Sequence, residues 1–175
     1  MEGKMKSPTN YQHLPPGPKG QLIGLFKLNQ INHPLHPLPA LTLTCIILET
    51  MRLYPPVWAM PQTIATECKI GAYPVKRGHG LLACQWIVHR DARWFSNPDT
   101  FNPERWDNDL AKRLPSFAYF PFGGGTRVCV GKAFAMMETV SVLATIAQTY
   151  RFTLVSEQPI QPWASLTLRP QQPKL

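Results

Sequence analysis

One cysteine stands out by its setting. Phe122 to Gly131 reads FGGGTRVCVG, and Cys129 follows a glycine run and precedes an apolar, helix-like segment. A thiol at such a place meets unsatisfied backbone N–H groups and the positive end of the helix, and both favour the thiolate. Arg127, two residues earlier, adds a positive charge. The glycines at 123, 124 and 125 permit close backbone approach to something bulky and unusual backbone angles. A thiolate held in this way ligates a metal or acts as a nucleophile. The residue types leave a third reading open, a buried structural cysteine beside a glycine turn. Nucleophilic catalysis needs a general base, and none of the histidines at 13, 33, 36, 79 and 89 is placed beside Cys129 by spacing.

A second pair with chemistry is Glu49 and Arg52. Three residues apart, they share one face of a helix. The plain reading of such a pair is a surface contact worth about a few tenths of a kcal/mol.

The elements that must position these residues follow from pattern and punctuation. A helix is predicted over Leu41 to Leu53, stopped by Pro55 and Pro56, with Tyr54 biased to an extended conformation. Val57 to Ala65 and Cys68 to Pro74 read as strands, with Lys76 to Gly80 as a turn. Leu81 to Val88 is apolar and reads as a strand or a short helix. Residues 91–121 read as irregular, with prolines at 98, 103, 115 and 121; so long a stretch has a function or covers a ligand. The strongest helix runs from Val130 to Tyr150, and its apolar breadth predicts burial on more than one side. The tail alternates at Arg151 to Val155 and predicts a strand pair. Residues 1–40 form a proline-rich, hinge-like, largely irregular segment containing LPPGPKG, which leaves 41–175 as the folded domain.

Composition narrows the class. The 175 residues suit one domain, 44% hydrophobic content supports a core, and nineteen prolines argue against a simple helix bundle. The formal charge of +8 is spread out, with no basic run, so no nucleic-acid partner is expected. Cys45, Cys68, Cys84 and Cys129 form no CxxC, which argues against zinc and against a disulfide framework. No signal peptide is seen, and the longest apolar stretch, Leu38 to Leu48, is too short for a transmembrane segment. A soluble, cytoplasmic protein is expected.

Three stretches in order carry a resemblance. FGGGTRVCVG resembles the haem-binding loop of the cytochromes P450, F-x-x-G-x-R-x-C-x-G, at every fixed position. Glu49-Thr50-Met51-Arg52, followed by Leu-Tyr-Pro-Pro, is similar to that family's E-x-x-R helix. Phe101-Asn102-Pro103-Glu104-Arg105-Trp106 is similar to its P-E-R-[FW] segment. The likeness runs from about Leu41 to Leu168, and it implies an α+β fold, mainly helical with small β-sheets, the proximal C-terminal part of the cytochrome P450 fold.

The resemblance also implies roles. Cys129 would be the axial thiolate on the iron of a haem b (iron protoporphyrin IX), where it pushes electron density onto the metal and favours O–O cleavage. Phe122 would pack near the sulfur, and the amides around Gly125 would tune it. Arg127 would pair with a haem propionate, and Gly131 would let the helix start close under the porphyrin. Glu49, Arg52 and Arg105 would form a buried lock whose truncation costs roughly 3–5 kcal/mol. In the family an arginine commonly stands where this chain has Gln62, which can hydrogen-bond a propionate but not neutralise it. The implied reaction is monooxygenation of a small apolar substrate with O2 and electrons from a ferredoxin- or flavodoxin-type donor. Lys112, Arg113 and Lys132 would form the basic dock for that donor; their plain reading is a solvated charged rim.

The chain departs from the family in length. Leu14 to Gly24 resembles the family's proline hinge, yet the E-x-x-R helix follows soon after it, and no [AG]-G-x-[DE]-T-[TS] stretch is present. An internally deleted or truncated member is therefore expected, with the apolar surfaces of the last helix and of Leu81 to Val88 short of partners. Two alternatives stand beside the oxygenase: a non-catalytic haem-binding remnant, and a proline-rich basic interaction module built on PPGP.

Overall fold

A computed structural model describes residues 40–150 and 161–171 of the chain. The expected hinge-like segment lies outside the described residues apart from Ala40, as does the alternation at Arg151 to Val155. Helix α1, Ala40–Leu53, is the central element. Leu43, Cys45, Ile46, Ile47 and Leu53 are all buried on it. The Tyr54 N–H makes the last helical bond, 2.7 Å to the Thr50 carbonyl, before the prolines end the helix. Arg90 then satisfies a carbonyl left free at that end, donating from Nη2 to the Leu53 oxygen.

After α1 the chain forms two small antiparallel sheets. Strand β1 (Met60–Thr63) pairs with β4 (Gly80–Ala83), Met60 opposite Ala83 and Gln62 opposite Leu81. Between them, β2 (Cys68–Ile70) and β3 (Tyr73–Val75) form a hairpin. The single strand expected over Cys68 to Pro74 is thus two strands. Gly71, at φ 59°, takes the left-handed conformation that turns the chain back. The apolar run from Leu81 divides between β4 and a short helix α2, Gln85–Val88, with Cys84 between them.

Residues 91–121 are not wholly irregular. A 3-10 stretch, Pro103–Asp109, is started by the Asn102 side chain, which accepts from the Glu104 N–H, with Pro103 supplying the fixed φ of a first helical residue. Helix α3, Leu110–Arg113, follows a kink at Asp107 and Asn108. Phe95 and Trp106 from this region pack with Cys45 of α1 to make the core, flanked by Leu48, Leu110, Leu114 and Tyr119.

Helix α4, Lys132–Thr149, packs against α1. It starts later than expected because Val130 and Gly131 form a turn, with Gly131 as the cap. Burial on more than one side is not found: Val140, Leu143 and Ile146 are half-buried, while Phe134, Met137 and Val142 are exposed. No described element covers that second side. A last hairpin, β5 (Pro162–Ala164) with β6 (Leu168–Pro170), is tied to the segment after α1 by the Trp58 indole N–H to the Ser165 carbonyl, 2.8 Å. No helix among the described residues is long and apolar enough to cross a membrane.

Candidate functional site

A densely hydrogen-bonded polar cluster is built around Glu49. Its carboxylate is fully buried and accepts five hydrogen bonds. Arg52 donates bidentately from Nε and Nη2 at 2.9 Å each. The Asn102 N–H (2.9 Å), Arg105 Nε (3.0 Å) and the Trp106 indole N–H (2.9 Å) supply the rest. Arg52 spends its remaining donors on backbone oxygens of His89, Pro98 and Thr100. All five N–H groups of that guanidinium are therefore satisfied. Arg105, 7% exposed at its side chain, reaches the carbonyls of Ser96, Asn97 and Thr100.

Burial pushes the Glu49 carboxyl up, but the Arg52 bonds and charge, the Asn102 amide and the Arg105 charge outweigh it and hold the group below the usual carboxylate range. Spacing places Glu49 and Arg52 on one face of α1, and Arg105 joins them. Trp106 and Asn102 stand in the quoted motif stretch and His89 among the histidines, but the sequence assigned none of them a role in this cluster.

His89 links this cluster to the loop. It is fully buried, and its carbonyl accepts from Arg52 Nη1 at 2.9 Å. Its ring Nε2 accepts from the Phe120 N–H, also at 2.9 Å. The ring stands between Tyr119, 4.9 Å away, and the edge of Phe120, 5.2 Å away. Burial first, then the charges of Arg52 and Arg90, lower its pKa to about 4 against one opposing contribution from the Met51 backbone, so the imidazole is neutral at pH 7. Tyr119 makes a parallel tether, its hydroxyl donating to the Leu48 carbonyl at 2.9 Å. The segment entering the thiol loop is thus bonded to α1 twice, directly through Tyr119 and through His89.

The loop itself is closed by its own backbone. The Gly123 N–H reaches the Phe120 carbonyl at 2.9 Å, and the Cys129 N–H reaches the Phe122 carbonyl at 2.9 Å. Gly125–Arg127 is a 3-10 turn. Gly125 has φ 68°, so its glycine is a conformational requirement. Arg127 is exposed, and among the described residues no carboxylate pairs with it.

Cys129 is exposed, not a buried structural cysteine. Gly131 leaves the sulfur uncovered on the helix side, where a Cβ would lie 3.7 Å from Sγ. Gln62 stands on β1, exposed, two residues along from Met60 and so on the same face of the strand. Met60 reaches the loop, its Sδ 3.6 Å from where a Cβ on Gly123 would sit. Lys112, by contrast, is occupied with Asp109 at 2.8 Å, and Arg113 with the Asn108 carbonyl.

The donor set suits the haem that the resemblance implies. Among the described residues no three His, Cys, Asp or Glu side chains gather to hold a metal ion. A lone thiolate is a poor site for a bare ion, but it is sufficient for an iron whose equatorial ligands come from a macrocycle. The chain neighbours Val128 and Val130, and Phe134 on the first turn of α4, are exposed and apolar, as a flat apolar ring requires.

Comparison with known proteins gives the same direction. The cytochrome P450 family profile matches residues 38–175. The chain is 34% identical over 120 residues to cyclooctatin synthase of Streptomyces melanosporofaciens, covering 69% of this chain and 26% of that protein. It is 38% identical over 115 residues to cyclooctat-9-en-7-ol 5-monooxygenase of the same organism, covering 65% and 25%. Among solved structures, cytochrome P450 CYP102L1 superposes with a TM-score of 0.66 at 28% identity, over 73% of this chain and 30% of that one. The chain therefore spans about a quarter of the length of the curated relatives it matches.

Proposed function

The chain belongs to the cytochrome P450 family, and from that premise we propose that it supplies the thiolate side of a haem-thiolate monooxygenase centre. Cys129 holds the iron of haem b. Phe122 and Gly131 shape the approach to the sulfur, Gly125 sets the loop conformation, and Arg127 and Gln62 receive the propionates. Glu49, Arg52 and Arg105 lock the base of the loop. The bound haem supplies the oxygen-activating chemistry. Residues 41–175 are the haem-binding part.

The observation that carries this reading is the exposed Cys129 thiol, presented by a glycine-turned loop whose entry is bonded through Tyr119 to the Leu48 carbonyl of α1 and through Phe120 to His89, whose own carbonyl accepts from the buried Arg52. A reactive group on an open surface needs a rigid base if its direction is to be fixed. The substrate is a small apolar molecule, and the electrons come from a ferredoxin- or flavodoxin-type protein. The name of one relative, cyclooctat-9-en-7-ol 5-monooxygenase, supports an apolar substrate and goes no further.

The test is spectroscopic. Purified chain titrated with haemin, reduced and exposed to carbon monoxide is expected to give the strongly red-shifted Soret band of a thiolate-ligated haem. Cys129→Ser is expected to lose that band. No uptake, or the same band in the variant, removes Cys129 from its role. Turnover with O2, a reduced ferredoxin or flavodoxin and an apolar substrate panel then tests oxygenation separately, against a haem-binding remnant that does not turn over.

A further inference from the structure

The loop glycines are not equivalent. Gly123 and Gly125 have φ of 75° and 68°, a region side chains rarely occupy. Gly124 has φ −163° and ψ 173°, extended backbone open to any residue. Conformation does not require glycine at 124; what stands nearest to it is a side chain. A Cβ built there would overlap Phe117 Cε1 and stand 3.2 Å from Cδ1 and 3.3 Å from Cζ of the same ring. At Gly125 a Cβ would meet nothing within 4 Å.

Phe117 holds an unusual place. Its φ is 66°, costly for a bulky residue. It is the third residue of a turn closed by the Ala118 N–H to the Pro115 carbonyl, 3.0 Å. With positive φ that turn position favours glycine or asparagine. The ring meets Phe120 edge-on at 6.2 Å yet remains 61% exposed, so burial is not what it gains there. A strained backbone that sets an exposed ring on bare loop backbone is a contact kept for its geometry.

We propose that Phe117 is a positioning residue for the thiol loop, and that residue 124 is glycine to admit its ring. Seated on Gly124, the ring sets where the loop backbone runs between Phe122 and Cys129. The Phe122 carbonyl, which receives the Cys129 N–H, lies two residues before the contact. A displacement at Gly124 therefore moves the bond that orients the thiol. This goes beyond the haem reading, and its test needs no haem.

The readout is the rate at which iodoacetamide alkylates Cys129 in the full chain, followed by peptide mass, with the exposed Cys68 on β2 as internal reference. Gly124→Ala and Phe117→Ala are each expected to change the Cys129 rate by roughly threefold or more and to leave Cys68 unchanged. The double variant is expected to match Phe117→Ala alone, because without the ring the added methyl group meets nothing. Phe117→Tyr, which keeps the ring, is expected to behave as wild type. Unchanged rates in both single variants, or effects that multiply in the double, overturn the proposal. Should Gly124→Ala fail to fold by circular dichroism, recovery in the double variant supports the clash, and failure of both overturns it. Absence of haem uptake would sink the function proposed above and leave this contact standing; multiplying rates would do the reverse.

Discussion

The buried cluster around Glu49 and the loop around Cys129 are opposites built in one chain. Glu49 and Arg52 are 0% exposed and have all their strong donors and acceptors paired. Cys129, Val130 and the outer side of α4 are exposed. The first region contains no group free to react; the second contains an exposed thiol and few contacts to hold it. Rigidity and reactivity are thus assigned to different residues, and Tyr119, His89 and Phe120 transmit the one to the other. An ion cluster so far from water is not a gain in stability by default, because desolvating two charges is expensive. Its geometry fixes three segments, α1, the 96–106 stretch and the loop entry, in one relation to each other.

The sharpest way to break the contrast is to remove the centre of the cluster. Glu49→Ala leaves two buried guanidiniums without their carboxylate and is expected to cost about 3–5 kcal/mol, read as a lost or shifted urea unfolding transition. A cost within the range of a surface pair would show that the cluster is not the base of the fold.

Acid should act on the tether next. A neutral buried His89 binds no proton until about pH 4, whereas the unfolded chain takes one at about 6.5. The stability it contributes is complete above pH 6.5 and is lost as the pH falls toward 4. Protonation also turns the Nε2 acceptor into a donor facing the Phe120 N–H. Glu49, held below its ordinary 4.5, loses its contribution only as the pH falls below that value. His89→Gln, which keeps an acceptor but does not titrate, is expected to remove the upper part of the acid transition in a stability-against-pH series. An unchanged profile would place the titration elsewhere.

Trp106→Phe keeps a ring in the core and removes one N–H from the Glu49 carboxylate. A loss of about 1.5–3 kcal/mol is expected in denaturant titration, the range for hydrogen bonds to charged groups. Smallest of all, Phe134→Ser on the exposed side of α4 is expected to change stability by less than about 0.5 kcal/mol. A larger loss would mean that this side is covered.

What was legible in the sequence follows the range of the interaction. The Glu49–Arg52 pair is a three-residue spacing on a helix bounded by Pro55, and both were readable. Arg105 came only from resemblance to a motif. His89 and Trp106 were not readable as partners, because each meets its target across tens of residues brought together by the fold. The hairpin hidden in Cys68 to Pro74 was missed because Gly71, one residue at positive φ, was absorbed into an apolar run. The glycine run showed that the loop turns sharply, but not that Gly124 answers to a phenyl ring while its neighbours answer to φ. The breadth of apolar residues on α4 records what the helix is suited to touch. It does not say whether a partner stands there.

The central claim is that the Cys129 sulfur is the protein's ligand to haem iron. Iron K-edge X-ray absorption on the haemin-reconstituted chain tests it at the atom. The account predicts a first shell of porphyrin nitrogens with one sulfur scatterer, and loss of that sulfur in Cys129→Ser. A shell of nitrogen and oxygen alone, identical in the two proteins, would contradict it.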